Sequence, residues 1–232
     1  MVRVVRSELH LRRPWEAPGG PGQPEPAGPA SGAGLPPWLA ERLYERRIVF
    51  LTGAVTAATA STAAATLLSL DLSGGGAGPA GFAGHSPEPA DDTAPPVQLH
   101  VASSDGDLDA VLSLIDAVDS MRAPVHAVAT GEVGGAVVGV YAAARRRVAY
   151  PHARFRLAEP NLAGMAGTAD DVASAAGRHL RALEDLVVRV AQATGQPRSR
   201  VEDDFSAGRV LGAAEAQEYG LVHDIHRRDT PA

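Results

Sequence analysis

The chain contains no cysteine, which excludes a structural disulfide, a thiolate nucleophile and any Cys-based zinc or iron–sulfur site. Lysine is missing as well, so all 21 basic residues are arginine. Schiff-base chemistry, a Ser-Lys dyad and a P-loop are thereby excluded together. No uninterrupted apolar run approaches the length of a membrane span, and Met1 to Pro14 carries scattered arginines without the apolar stretch of a secretory signal. The expected location is the cytoplasm, with no membrane partner. A net charge of -6 and a pI near 5.7 argue against a nucleic-acid partner. The eight histidines show neither HxH nor HExxH spacing, so no metal and no cofactor is expected. Serine is absent from the whole stretch Met121 to Ala173.

Length and 45% hydrophobic content suit one domain with one sizeable core. Two tracts of Pro, Gly and Ala cannot bury enough surface to offset their ordering entropy. They set the expected layout: a disordered leader over 1–38, a domain over 39–226 interrupted by a disordered insertion at 73–96, and a tail over 227–232. Short β-branched runs at Ile48 to Leu51, Val97 to Val101, Val125 to Ala129, Val148 to Tyr150 and Arg154 to Leu157 read as strands. Leu108, Val111, Leu112, Ile115, Val118 and Met121 share one helical face, with Asp107 as N-cap. A longer helix over 171–194 carries a stripe of Val172, Ala175, Ala176, His179, Leu180, Leu183, Val187, Val190 and Ala191. Its other face holds Arg178, Arg181, Asp185 and Arg189. Strands alternating with helices give an α/β architecture.

Several motifs in order, Ile48 to Gly53, Pro151-His152-Ala153-Arg154, Thr194-Gly195-Gln196-Pro197 and Ala214 to Val222, resemble the proteolytic subunit of the Clp protease, and the resemblance runs from Arg42 to His226. It implies the ClpP/crotonase-like spiral of β-α turns, with the 171–194 helix projecting as a handle. It also implies ring oligomers, formed with itself or with active Clp proteolytic subunits, that stack through those handles and cover the apolar stripe.

The same resemblance locates a catalytic centre whose side chains are missing. Gly131-Glu132-Val133-Gly134-Gly135-Ala136 is similar to the nucleophile segment, with Gly135 at the serine position. Leu157-Ala158-Glu159-Pro160 matches the segment of the general-base histidine, with Ala158 in its place. Counting on from Pro197 puts Gly208 at the orienting aspartate. Serine-peptidase chemistry needs a hydroxyl, a base and an orienter, and these three residues supply none. Of the oxyanion hole, the resemblance implies a remnant: the N–H groups of Gly106, in Ser103-Ser104-Asp105-Gly106-Asp107, and of Ala136. Asp105 stands where the family has glycine, and a carboxylate there opposes a developing negative charge. The surface positions that hold aromatic docking anchors for a Clp ATPase correspond to Gln98, His100 and Ser120, which disfavours that partner.

The reading that follows is a Clp-like subunit without peptidase activity, structural or regulatory in role. Two alternatives belong to other classes. One is an active serine endopeptidase with displaced residues, Ser103 or Ser104 with His100 or His126; a helix N-terminus explains these serines more simply. The other is a crotonase-like acyl-CoA enzyme. Arg145-Arg146-Arg147 reads as a solvated helix end before it reads as a phosphate site.

Overall fold

The computed structural model describes residues 36–73, 94–160 and 167–226. Most of the expected leader, most of the expected insertion and the tail lie outside them. The leader boundary moves: Pro37 and Trp38 belong to the first helix, α1 (Pro37–Glu45). Proline suits a first helical turn because its fixed φ and missing N–H cost nothing there. Ser73 likewise closes a helix instead of opening the insertion.

After α1 the chain enters β1 (Ile48–Thr52), in which Val49 and Leu51 are buried and Phe50 is exposed. This period-2 pattern marks a sheet with one covered face. Next comes α2 (Ala57–Ser73), burying Ala60, Ala63, Leu67 and Leu70 at helical spacing. Then β2 (Val97–Ser103) leads to α3 (Leu108–Asp119), whose N-cap is Asp107: the carboxylate accepts from the Ala110 N–H at 2.9 Å. The long β3 (Val125–Gly134) runs into α4 (Val137–Ala143), and Val137 to Ala142 are all buried.

Short strands β4 (Arg146–Ala149) and β5 (Arg154–Leu157) precede α5 (Ala169–Thr194). The chain then forms α6 (Arg198–Ser206), β6 (Arg209–Gly212), α7 (Ala213–Glu218) and β7 (Asp224–Ile225).

The sheet has the order β1-β2-β3-β4-β7, all parallel, which the intervening helices permit. The length of β3 decides the rest. Its first half pairs with β2 and β4, Val133 pairs with Ser103 at the end of β2, and on the other side Glu132 to Gly134 pair with β5, which carries β6 antiparallel beside it. A register shift in β2 between Val101 and Ser103 marks the bend.

Helix α5 begins with a capping box in which Thr168 and Asp171 satisfy one another's backbone N–H. The Thr168 hydroxyl, which donates to the Asp171 carboxylate at 2.7 Å, and then the Thr168 N–H hold that carboxyl below its ordinary pKa. The stripe expected to face a partner divides in two. Ala182, Leu186, Val187 and Val190 are buried within the subunit, where α5 packs on α3, α4 and α6. Val172 and Leu180 in the first half stay exposed, Leu180 at 65%. The helix is therefore rooted at its C-terminal end and projects at the other.

Arg145-Arg146-Arg147 is not a solvated helix end. The triplet spans the α4–β4 turn, and Arg146 pairs with Asp224 on β7 at 2.9 Å. Arg147 is buried, and among the described residues no carboxylate forms an ion pair with it. Its guanidinium donates to the carbonyls of Leu221 (2.8 Å), Ala193 (2.8 Å), Gly220 (3.2 Å), Ala142 (3.4 Å) and Ala144 (3.5 Å). These oxygens lie at the ends of α4, α5 and α7, where helix carbonyls point outward with partial negative charge.

The His223 ring closes the cage. Its Nδ1 accepts the Arg147 backbone N–H at 3.1 Å, and its Nε2 lies 2.9 Å from the guanidinium. Replacing Arg147 by Met strands several buried carbonyls. The expected loss is about 3 kcal/mol of unfolding free energy, measured by urea denaturation. A change too small to resolve would show that water replaces the guanidinium.

Candidate functional site

The site forms where β3 ends. Gly134 is buried so closely against the neighbouring turn that an added Cβ would lie 2.6 Å from the Ser104 carbonyl oxygen, which admits no other residue. Gly135 follows at φ +55, the left-handed region that glycine occupies without strain. Its N–H donates to the Arg156 carbonyl at 3.0 Å and fixes the turn to β5.

From this point the residues named in the sequence come together. A Cβ on Gly135 would lie 3.7 Å from Asp105 Oδ1 and 4.0 Å from the carbonyl oxygens of Ala158 and Ser104. Ala158 is the first residue after β5. The next N–H, that of Glu159, donates to the Phe205 carbonyl at 3.2 Å, and the N–H of Gly208 donates to the same oxygen at 3.2 Å. Gly135 and Ala158 are thus near one another, and Gly208 is linked to the residue after Ala158 through the Phe205 carbonyl; together the three present a single methyl group. None can accept or deliver a proton.

Neighbouring carboxylates do not fill the gap. Asp204 on α6 accepts from the Tyr219 hydroxyl at 2.9 Å and from Arg209 at 3.0 Å, so its oxygens are engaged. The Tyr219 hydroxyl is pushed well above its ordinary pKa by burial and by its bond to Asp204. Arg200 and Arg209 lie 5.4 and 5.7 Å from the ring centroid of that tyrosine. The group is a structural clamp on the C-terminal segment, which the sequence did not announce because its members are scattered over α6, β6 and α7.

The turn that should offer an oxyanion donor is occupied from within. The Gly106 N–H donates to the Asp105 carboxylate at 2.8 Å. The Asp105 carbonyl accepts from the Ser103 hydroxyl and from the Val55 N–H, each at 3.0 Å. Arg156 reaches across the cleft from β5 to the Ser104 carbonyl at 2.6 Å and pairs with Glu132 at 3.3 Å. Ala136, the other remnant donor, is fully buried at the start of α4. A short chain of contacts therefore runs beside Gly135 from Gly106 through Asp105 and Ser104 to Arg156 and Glu132.

Neither serine meets a histidine. Ser103 is buried on the covered face of β2 and His100 on the opposite one, as alternation along a strand requires. His100 precedes Ser104 by four residues, roughly 13 Å of extended strand. Its ring lies 5.0 Å from that of Phe50 and its Nε2 3.2 Å from Gln98 Oε1. His126 is farther still, opposite Gln98 in the register. Gln98, His100 and Phe50 thus share the open face of the sheet, with Phe50 exposed, while Ser120 is the C-cap of α3.

The family model described as Clp protease matches residues 89–229, more than half of the chain and a span that contains Gly106, Gly135, Ala158 and Gly208. Among the described residues no helix is long and apolar enough to cross a membrane.

Three histidines have pKa values below the ordinary imidazole value, in each case first because burial penalises the charged ring: His100, His126 and His223. Arg146 and Arg145 lower His126 further, and Arg147 lowers His223. A histidine depressed in the folded state binds its proton more readily when unfolded, so stability is present at neutral pH and falls once pH drops below about 6.5. Melting temperature is expected to decline from pH 7 toward pH 5, and His223→Asn is expected to flatten the slope. A profile level through this window would contradict the assignment.

Proposed function

The chain belongs to the Clp protease family, and on that premise we propose that it is a cytoplasmic, non-catalytic subunit of a Clp-type assembly. It pairs with copies of itself or with active proteolytic subunits and acts through structure, not hydrolysis. The observation that supports this reading is the identity of the residues at the three positions, Gly135, Ala158 and Gly208, none of which carries a nucleophile, a base or an orienting acid. Asp105 on the Gly106 N–H also opposes acyl-CoA chemistry of the crotonase type, since an enolate would need that donor free.

Assembly is supported by the projecting half of α5. Val172, Ala176 and Leu180 fall at i, i+4 and i+8 on one face, and Val172 and Leu180 are exposed. An antiparallel two-fold centred on Ala176 sets Val172 of one copy against Leu180 of the other. It also sets the acidic first turn, Asp170 and Asp171, against Arg181. Such self-complementarity is what an isologous contact requires. The open sheet face offers Gln98 and His100 beside Phe50, a polar surface poorly suited to the apolar loop of a Clp ATPase.

Two measurements test this. The purified protein is expected to leave fluorogenic peptides intact and to resist fluorophosphonate probes; stoichiometric labelling abolished by Ser104→Ala would overturn the non-catalytic reading. In light scattering, Val172→Asp with Leu180→Asp is expected to lower the oligomer mass while leaving the subunit folded. Leu183→Asp with Val187→Asp instead is expected to unfold the subunit, because Val187 is buried within its own chain. A natural protein that stays monomeric, alone and when mixed with active Clp subunits, would defeat the assembly.

A further inference from the structure

We propose that the Asp105 carboxylate is a built-in occupant of the backbone cradle beside Gly135, an autoinhibitory contact that keeps the cleft closed to carbonyl and acyl substrates whether or not a nucleophile is present. The inference rests on reading Gly135 as the vacated nucleophile position, and it adds a second, independent barrier to the loss of the triad.

Three features make the occupancy firm. The Gly106 N–H, a donor that would face a substrate oxygen, is already spent on Asp105 Oδ1 at 2.8 Å. The backbone of Asp105 is held from behind by the Ser103 hydroxyl and the Val55 N–H. Arg156 draws Ser104 toward β5, so the turn carrying Asp105 is tied on both flanks. The charge of Arg156 is offset by Glu132 and does not compensate a second anion in the cleft.

The position of the carboxylate decides the consequence. Asp105 Oδ1 is 3.7 Å from a Cβ built on Gly135, so a hydroxyl restored there would meet a carboxylate before it met a carbonyl carbon. A tetrahedral intermediate develops negative charge on its oxygen and gains its stabilisation from free, preorganised donors. Here the donor is engaged and a like charge stands beside it. Gly106 itself is closely packed, a Cβ on it meeting Val55, Val111 and Val137 at 3.0 to 3.1 Å, so the N–H cannot turn to another acceptor.

The experiment compares fluorophosphonate labelling of full-length variants, with the labelled residue found by mass spectrometry. The triple variant Gly135→Ser, Ala158→His, Gly208→Asp is compared with the same variant carrying Asp105→Ala. The triple variant is expected to label about 100-fold more slowly, the scale of one lost oxyanion donor. Equal rates would overturn the proposal, and so would a folded quadruple variant that does not label at all.

Asp105→Ala alone is expected to stay unlabelled. A serine labelled in it would support the Asp105 barrier while overturning the non-catalytic reading, so the two claims fail separately. Should the multiple variants not fold, amide exchange decides. In the otherwise natural chain, Asp105→Ala is expected to speed exchange at Gly106 by about tenfold, because its acceptor is gone. Unchanged exchange would overturn the occupancy.

Discussion

The close approach of Gly134 to the Ser104 carbonyl governs the arrangement around it. Because β3 continues past β4 to pair with β5 while Val133 stays paired with Ser103 of β2, its end must pass the turn that follows β2 at a distance no side chain tolerates. That passage brings Gly135 beside Asp105, lets the Gly135 N–H reach Arg156, and launches α4 into the core. The cleft is thus a product of strand length and backbone packing. It rests on backbone contacts and not on a side chain at Gly135.

The same distinction explains what has been kept and what has been lost. Removing a buried aliphatic residue from α4 would leave a cavity and cost on the order of 2 kcal/mol or more. A hydroxyl, an imidazole and a carboxylate lining an open cleft contribute little to packing. A Cβ at Gly208 would meet nothing within 4 Å, so no neighbour there demands a side chain. Folding constrains the frame strongly and the chemistry weakly. Glycine at Gly135 and Gly208 and alanine at Ala158 are therefore compatible with an undisturbed sheet.

Legibility in the sequence followed the same division. The strands β1 to β5 and the helices α3 and α5 were readable because one buried face imposes a period on each, and Asp107 could be named as a cap from its place before an apolar run. The proximity of Gly135 to Ala158, and the Phe205 carbonyl shared by Glu159 and Gly208, were not readable from spacing. Only the family resemblance put those residues together. Arg147 was misjudged because three consecutive arginines look solvated. Its acceptors are backbone carbonyls distributed from Ala142 to Leu221, and carbonyls leave no trace in sequence. The exposed apolar stripe was half right for a related reason: periodicity shows that a face is apolar and does not show whether the subunit itself covers it.

Arg147 also ties the two working parts of the molecule together. Its guanidinium holds Ala193, near the end of α5, and at the same time Gly220 and Leu221 beyond α7. The root of the projecting helix is therefore fixed to the C-terminal segment by one buried cation, whose charge burial disfavours and lowers in pKa. A lysine could not serve as well, since its single ammonium lacks the planar fork that reaches five carbonyls at once. The direction of α5 is thus set at its root by one side chain bound to backbone carbonyls, through contacts that involve none of Gly135, Ala158 and Gly208.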